Sequence, residues 1–128
     1  MNEDIVSVSP DASVYEALEL LSQHEISGLP VVGPDQQLVG ILTEKDVLKL
    51  LLDHKMQGNE KVETYMNRKV FSFTEDDSII DVCKFFIKNP IRRVPIVRDK
   101  KVVGIVARRD IINLILEVRR NLGNFRHS

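Results

Sequence analysis

The chain of 128 residues contains itself twice. Shifted by 65 residues, Met1-Asn2 falls on Met66-Asn67, Ser7 on Ser72, Ser13 on Ser78, Ile26 on Ile91, Pro30 on Pro95 and Val32 on Val97. One residue is then lost, and a shift of 64 places Asp35 on Asp99, Val39-Gly40-Ile41 on Val103-Gly104-Ile105 and Asp46 on Asp110. A tandem duplication constrains the fold more than any composition, because whatever one copy forms the other must form too.

Each copy reads as β-α-β-β-α. A β-rich run (Ile5 to Val8; Val70 to Phe73) leads to a helix start marked by Ser13 with Glu16, and by Ser78 with Asp81. Apolar residues then recur at helical spacing: Ala17, Leu18, Leu20 and Leu21, and Val82, Phe85 and Phe86. Two short β runs follow around a turn, Leu29 to Val32 with Leu38 to Leu42, and Val94 to Val97 with Val102 to Val106. Helices over Glu44–His54 and Arg108–Asn121 close the units, and a short helix around Lys61–Met66 lies between them. One such unit has too little interior to stand alone. The expectation is therefore an α/β (α+β) fold of two repeats packed with pseudo-twofold symmetry through their sheets. The divisions are 1–54, a linker 55–65, 66–121 and a tail 122–128.

Composition narrows the class. Hydrophobic residues make up 43% and charged residues 29%, which suits a globular core and argues against disorder. No apolar run approaches the roughly 20 residues of a membrane helix, and no secretory leader is recognisable. Cys83 is the one cysteine, which fits a reducing, cytoplasmic setting. The net charge of −1 hides a division: residues 1–64 balance at −8 and residues 65–128 at +7. A basic half suits nucleic acid, smaller phosphates or simple attraction to the acidic half. With no Trp and 5% aromatics, stacking platforms for single strands are unfavoured and nucleic acid ranks last.

The duplicated unit, the segments Ile26-Ser27-Gly28-Leu29-Pro30-Val31-Val32 and Ile91-Arg92-Arg93-Val94-Pro95-Ile96-Val97, and the segments Gly40 to Asp46 and Gly104 to Asp110 resemble a pair of CBS domains, the Bateman module. The resemblance covers about residues 1–118. It implies a disc-like unit that often forms homodimers, with clefts for adenosine-containing ligands: AMP, ADP or ATP, and less often S-adenosylmethionine or NAD. It also implies regulation of an attached or separate enzyme or transporter.

Asp46 and Asp110 stand in the first turns of their helices, where a carboxylate can accept both ribose hydroxyls and the N-terminus favours a nearby phosphate. Thr43 adds a hydroxyl to the first site, and Ala107 removes it from the second. Helix-start preference alone also explains these residues. The resemblance implies that the adenine lies against the strand lead-in of the opposite repeat. Asp110 would then share a pocket with Ala12, Ala17, Ile26 and Gly28, while Asp46 and Thr43 would meet Ile91 and the Arg92-Arg93 segment. Arg92, Arg93, Arg108 and Arg109 would form a phosphate-binding cluster, unless acidic partners such as Glu19 occupy them. The alternative is a ligand-independent dimerisation module whose clefts are filled by its own side chains.

Catalysis finds no support. His24, His54 and His127 sit at a helix end, a linker and the terminus, and Cys83 falls on an apolar helix face. No metal spacing and no Gly-rich phosphate loop occurs, and Glu75-Asp76-Asp77 reads as a solvated turn. The lead-in Val62 to Tyr65 precedes the second copy, whereas the first begins directly at Met1. That difference is expected of a module cut from a longer protein, or of one whose partner supplies the packing.

Overall fold

The computed structural model describes residues 5–52 and 58–126. Both copies fold alike. In the first, α1 (Val14–Gln23) is followed by the antiparallel pair β1 (Gly28–Val32) and β2 (Leu38–Thr43), then α2 (Glu44–Leu52). A short α3 (Val62–Tyr65) leads to the second copy: β3 (Phe73–Thr74), α4 (Ile79–Lys88), β4 (Arg93–Arg98), β5 (Lys101–Ala107) and α5 (Arg108–Arg126). The pairing registers repeat as well, Leu29 with Leu42 and Val94 with Val106, and both ladders carry a bulge, at Val31/Val32 and at Ile96/Val97.

The helix starts follow from their caps. Ser13 Oγ accepts from Tyr15 N–H at 3.1 Å, and Ser78 Oγ accepts from Asp81 N–H at 3.1 Å. Each satisfies a donor the first turn leaves open, worth about 1 kcal/mol. The buried stripe of α1, Val14, Ala17 and Leu21, rests on a core with Leu29, Val31, Leu42 and Val62. Fully burying one such Leu or Val contributes about 1.5–3 kcal/mol. The second copy has a smaller aliphatic cluster of Val82, Val94 and Ile111 with Phe86, supplemented by edge-to-face rings, Phe73 on Phe85 at 5.2 Å and Phe85 on Phe86 at 5.7 Å.

The lead-in runs form less strand than their composition predicts. Ile5 to Val8 contributes one parallel bridge, Val8 to Val31, and of Val70 to Phe73 only Phe73 is in strand, as the first residue of the two-residue β3. Pro10 supplies no N–H and stops the first ladder. At the other end α5 continues beyond Asn121 to Arg126. The expected end of α2 at His54 lies outside the described residues.

Among the described residues, three sets of contacts join the copies. Val32 from the first packs with Val102 and Ile105 from the second, flanked by Ile5, Leu38 and Val97. The two hairpin turns exchange backbone bonds, Leu38 N–H to Lys100 O and Val102 N–H to Gln36 O, each 3.0 Å. The third contact is closest: Ile41 and Asn67 donate to each other's carbonyls at 2.9 and 2.8 Å. That approach needs glycine beside it, since a Cβ on Gly40 would stand 3.0 Å from Asn67 O and 2.8 Å from Met66 Sδ. On the other side of the linker, Tyr15 donates to Glu60 Oε2 at 3.0 Å. Lost hydration and the Glu60 carboxylate raise the phenol's pKa above its ordinary 10.0.

Gly40→Ala should therefore destabilise the chain by about 1–3 kcal/mol in thermal or urea unfolding. Gly33→Ala is its control: the nearest atom to its added Cβ is 3.8 Å away, so stability should hardly change.

Candidate functional site

Each closing helix begins where its hairpin ends. Glu44 N–H at the start of α2 donates to Ser27 O, and Arg108 N–H at the start of α5 donates to Arg92 O, both at 2.9 Å. These bonds fix the segments Ile26-Ser27-Gly28 and Ile91-Arg92-Arg93 beside helix N-termini. Between the copies lies a pocket of about 570 Å³, within the range of small-molecule sites. Its walls are Val6, Ile26 to Pro30, Ile41, Thr43 to Asp46 and Lys49 from the first repeat, and Asn67, Lys69 to Phe71, Pro90 to Pro95 and Ile105 from the second.

Asp46 is the buried carboxylate on that wall, 8% exposed. Its Oδ2 accepts from Thr43 N–H at 3.0 Å and from Thr43 Oγ1 at 2.9 Å, while Thr43 Oγ1 in turn stands 3.3 Å from Asp46 N–H. This reciprocal cap fixes the carboxylate's rotamer. The other oxygen, Oδ1, faces Lys49 Nζ at 3.6 Å. Asp46 is thus an acceptor-only group fixed at a helix start, on the wall of a pocket to which both repeats contribute.

The structure gathers seven of the residues singled out in the sequence onto this one pocket: Asp46, Thr43, Ile26, Gly28, Ile91, Arg92 and Arg93. Ile26 and Gly28 thus share a wall with Asp46, whereas the family resemblance implies that they meet Asp110. Asp110 Oδ2 accepts from Ala107 N–H at 2.8 Å, so the residue caps its own helix outside this pocket. Ala17 is fully enclosed in the core beneath α1, and Ala12 packs against the same core. Neither lines the pocket.

The expected cluster of four arginines is divided. Arg108 Nη2 donates to Phe86 O at 3.1 Å and Asn89 O at 2.7 Å, the carbonyls that end α4. A helix end leaves such acceptors bare, and Nη2 serves both, while the buried Nε has no hydrogen-bond partner among the described residues. Arg109 is exposed and lies off the pocket wall. The wall instead carries Lys45, Lys49 and Lys69, with Val70 and Phe71 on the apolar side. In the sequence the Glu44-Lys45 pair reads as less favourable to an anion than Arg108-Arg109, and Lys49 and Lys69 are not singled out. For Lys49 a signal existed, since it stands one helical turn beyond Asp46. Lys69 carried none, because the long-range exchange between Ile41 and Asn67, two residues before it, brings it here.

Cys83 is half-buried against the second-repeat core, and Asp77 accepts from Thr74 N–H at 2.8 Å within its turn. Among the described residues no group of His, Cys, Asp and Glu could hold a metal ion, and no helix is long and apolar enough to cross a membrane.

Residues 1–53 and 62–117 each match the CBS domain family. The chain is 33% identical over 115 residues to the protein MJ1225 of Methanocaldococcus jannaschii, covering 90% of this chain and 41% of that one. Inosine-5'-monophosphate dehydrogenase of the same organism is 37% identical over 111 residues, covering 86% of this chain and 21% of the enzyme. The chain thus spans less than half of either relative. Among solved structures, CBSX2 in complex with AMP is similar at TM-score 0.80 and 29% identity, with 90% of each chain covered. The CBS domain pair of MJ0100, in complex with 5'-methylthioadenosine and S-adenosylmethionine, is similar at TM-score 0.74 and 34% identity, again with 90% of each covered.

Proposed function

The chain belongs to the CBS-domain family, matched by both of its repeats, and on that premise we propose that it is a non-catalytic regulatory sensor that binds an adenosine-containing ligand in the pocket between them. The observation that carries this reading is Asp46, a nearly buried carboxylate whose Oδ2 is held by Thr43 on the wall of a pocket drawn from both copies. A ribose offers two adjacent hydroxyl donors to such an acceptor. Ile26 and Ile91, one from each repeat, supply apolar surface for the base, and Arg92 and Arg93 supply charge for phosphate. AMP, ADP or ATP suits these groups better than S-adenosylmethionine or NAD. The AMP complex of CBSX2 supports the choice.

A ligand bridging both repeats favours whichever arrangement it binds best, which is how such a module would signal to an attached or separate enzyme or transporter. We place it in the cytoplasm, where the free thiol of Cys83 stays reduced.

The helix faces support a companion reading as a homodimer. Leu48 and Leu52 on α2 are 60% and 79% exposed, and their repeat counterparts Ile112 and Leu116 on α5 are 56% and 45% exposed. The −8 and +7 halves favour a first repeat seated on the partner's second.

Two measurements check these readings. In calorimetric titration with AMP, Asp46→Ala should lose at least tenfold in affinity, while Asp110→Ala should lose less than twofold. The reverse order, or no binding by the unaltered chain, would overturn the site. In sedimentation equilibrium the double variant Leu48→Lys/Ile112→Lys should be monomeric where the unaltered chain is dimeric. A persistent dimer would overturn the helix-face interface.

A further inference from the structure

We propose that the pocket selects its ligand by phosphate charge, and that Lys45, Lys49 and Lys69 are the residues that do so. This rests on the adenosine reading and adds which adenosine compounds the site accepts. Five cations line the pocket, these three lysines with Arg92 and Arg93, against two carboxylates, Glu44 and Asp46. They arrive from three separate segments, α2, the irregular stretch between α3 and β3, and Arg92-Arg93 where β4 begins, so no single helix end accounts for the excess.

An unmatched positive lining favours ligands that bring negative charge. A phosphate monoester carries about −1.5 to −2 at neutral pH and offers three acceptor oxygens. A methylthioadenosine has no such group, and a sulfonium ligand adds positive charge to a wall that is already positive. The pocket is therefore built for a nucleotide, with further phosphates adding affinity.

Lys49 gives the selection a mechanism. Its ammonium stands 3.6 Å from Asp46 Oδ1, and its side chain is 63% exposed. A pair that open to water holds weakly and exchanges readily. When ribose hydroxyls take Oδ1, Lys49 gives up that contact and is free to meet a phosphate oxygen. The ligand replaces one ion pair by a hydrogen-bonded carboxylate and a lysine–phosphate pair, so no charge is stranded. Lys45 and Lys69 are exposed, and Arg108 cannot substitute for them while it holds the end of α4.

The test is calorimetric titration of the full chain with ADP, AMP, 5'-methylthioadenosine and S-adenosylmethionine, at low and high salt. The variant Lys45→Gln/Lys49→Gln/Lys69→Gln is titrated alongside. ADP should bind the unaltered chain at least tenfold more tightly than 5'-methylthioadenosine, and the gap should narrow at high salt. The triple variant should lose at least tenfold for ADP and less than twofold for 5'-methylthioadenosine. If 5'-methylthioadenosine or S-adenosylmethionine binds the unaltered chain as tightly as ADP, charge selection is overturned and the adenosine reading survives. Equal loss of ADP and 5'-methylthioadenosine in the variant overturns the role of the lysines. If none of the four binds, the adenosine reading itself falls, and this proposal with it.

Discussion

The structure depends on the backbone exchange between Ile41 and Asn67. Two hydrogen bonds of 2.9 and 2.8 Å tie the second hairpin strand of the first repeat to the segment that begins the second. Neither strand pair has enough interior to be stable alone, and the shared cluster around Val32, Val102 and Ile105 forms only when the copies meet. Gly40 permits that meeting because no side chain stands between β2 and Asn67. The pocket is a consequence: Asn67 and the residues that follow it become one wall, and the start of α2 becomes the other.

Duplication does not make the two sites alike. Thr43 turns the start of α2 into a reciprocal cap that locks Asp46, whereas Ala107 leaves Asp110 with a single backbone donor. Arg108 deepens the difference. It stands where Glu44 stands in the first copy, yet its guanidinium reaches back to the carbonyls of Phe86 and Asn89. A basic residue beside a predicted helix start is thus absorbed in holding the previous helix. The polar chemistry is concentrated on Asp46, and the pocket's cations come from both halves, Lys45 and Lys49 from the first and Lys69, Arg92 and Arg93 from the second.

Much of the fold was legible in the sequence because the repeat supplied two independent readings of each element. The hairpins, the serine-capped helices and the one-residue deletion in the turn all follow from residues at fixed spacing. The lead-in strands were overread, since β-branched composition says nothing about how many partners an edge segment finds before Pro10 ends it. At the site, Asp46, Thr43, Ile91, Arg92 and Arg93 fall together as their motif positions suggest. Ala17 was misplaced because a small residue on a helix suits a pocket wall and a tight core equally, and here the core holds it. Lys69 was not legible because its place depends on the long-range contact of Asn67 with Ile41.

The central claim is that one pocket, built from both repeats and centred on Asp46, receives an adenosine ligand. Two-dimensional amide NMR of the full chain titrated with AMP tests it most directly. The account predicts concerted shifts at Gly28, Thr43 and Asp46 in the first repeat and at Ile91 to Val94 in the second. Shifts confined to one repeat, or centred on Asp110 and Arg109 at the start of α5, would contradict it.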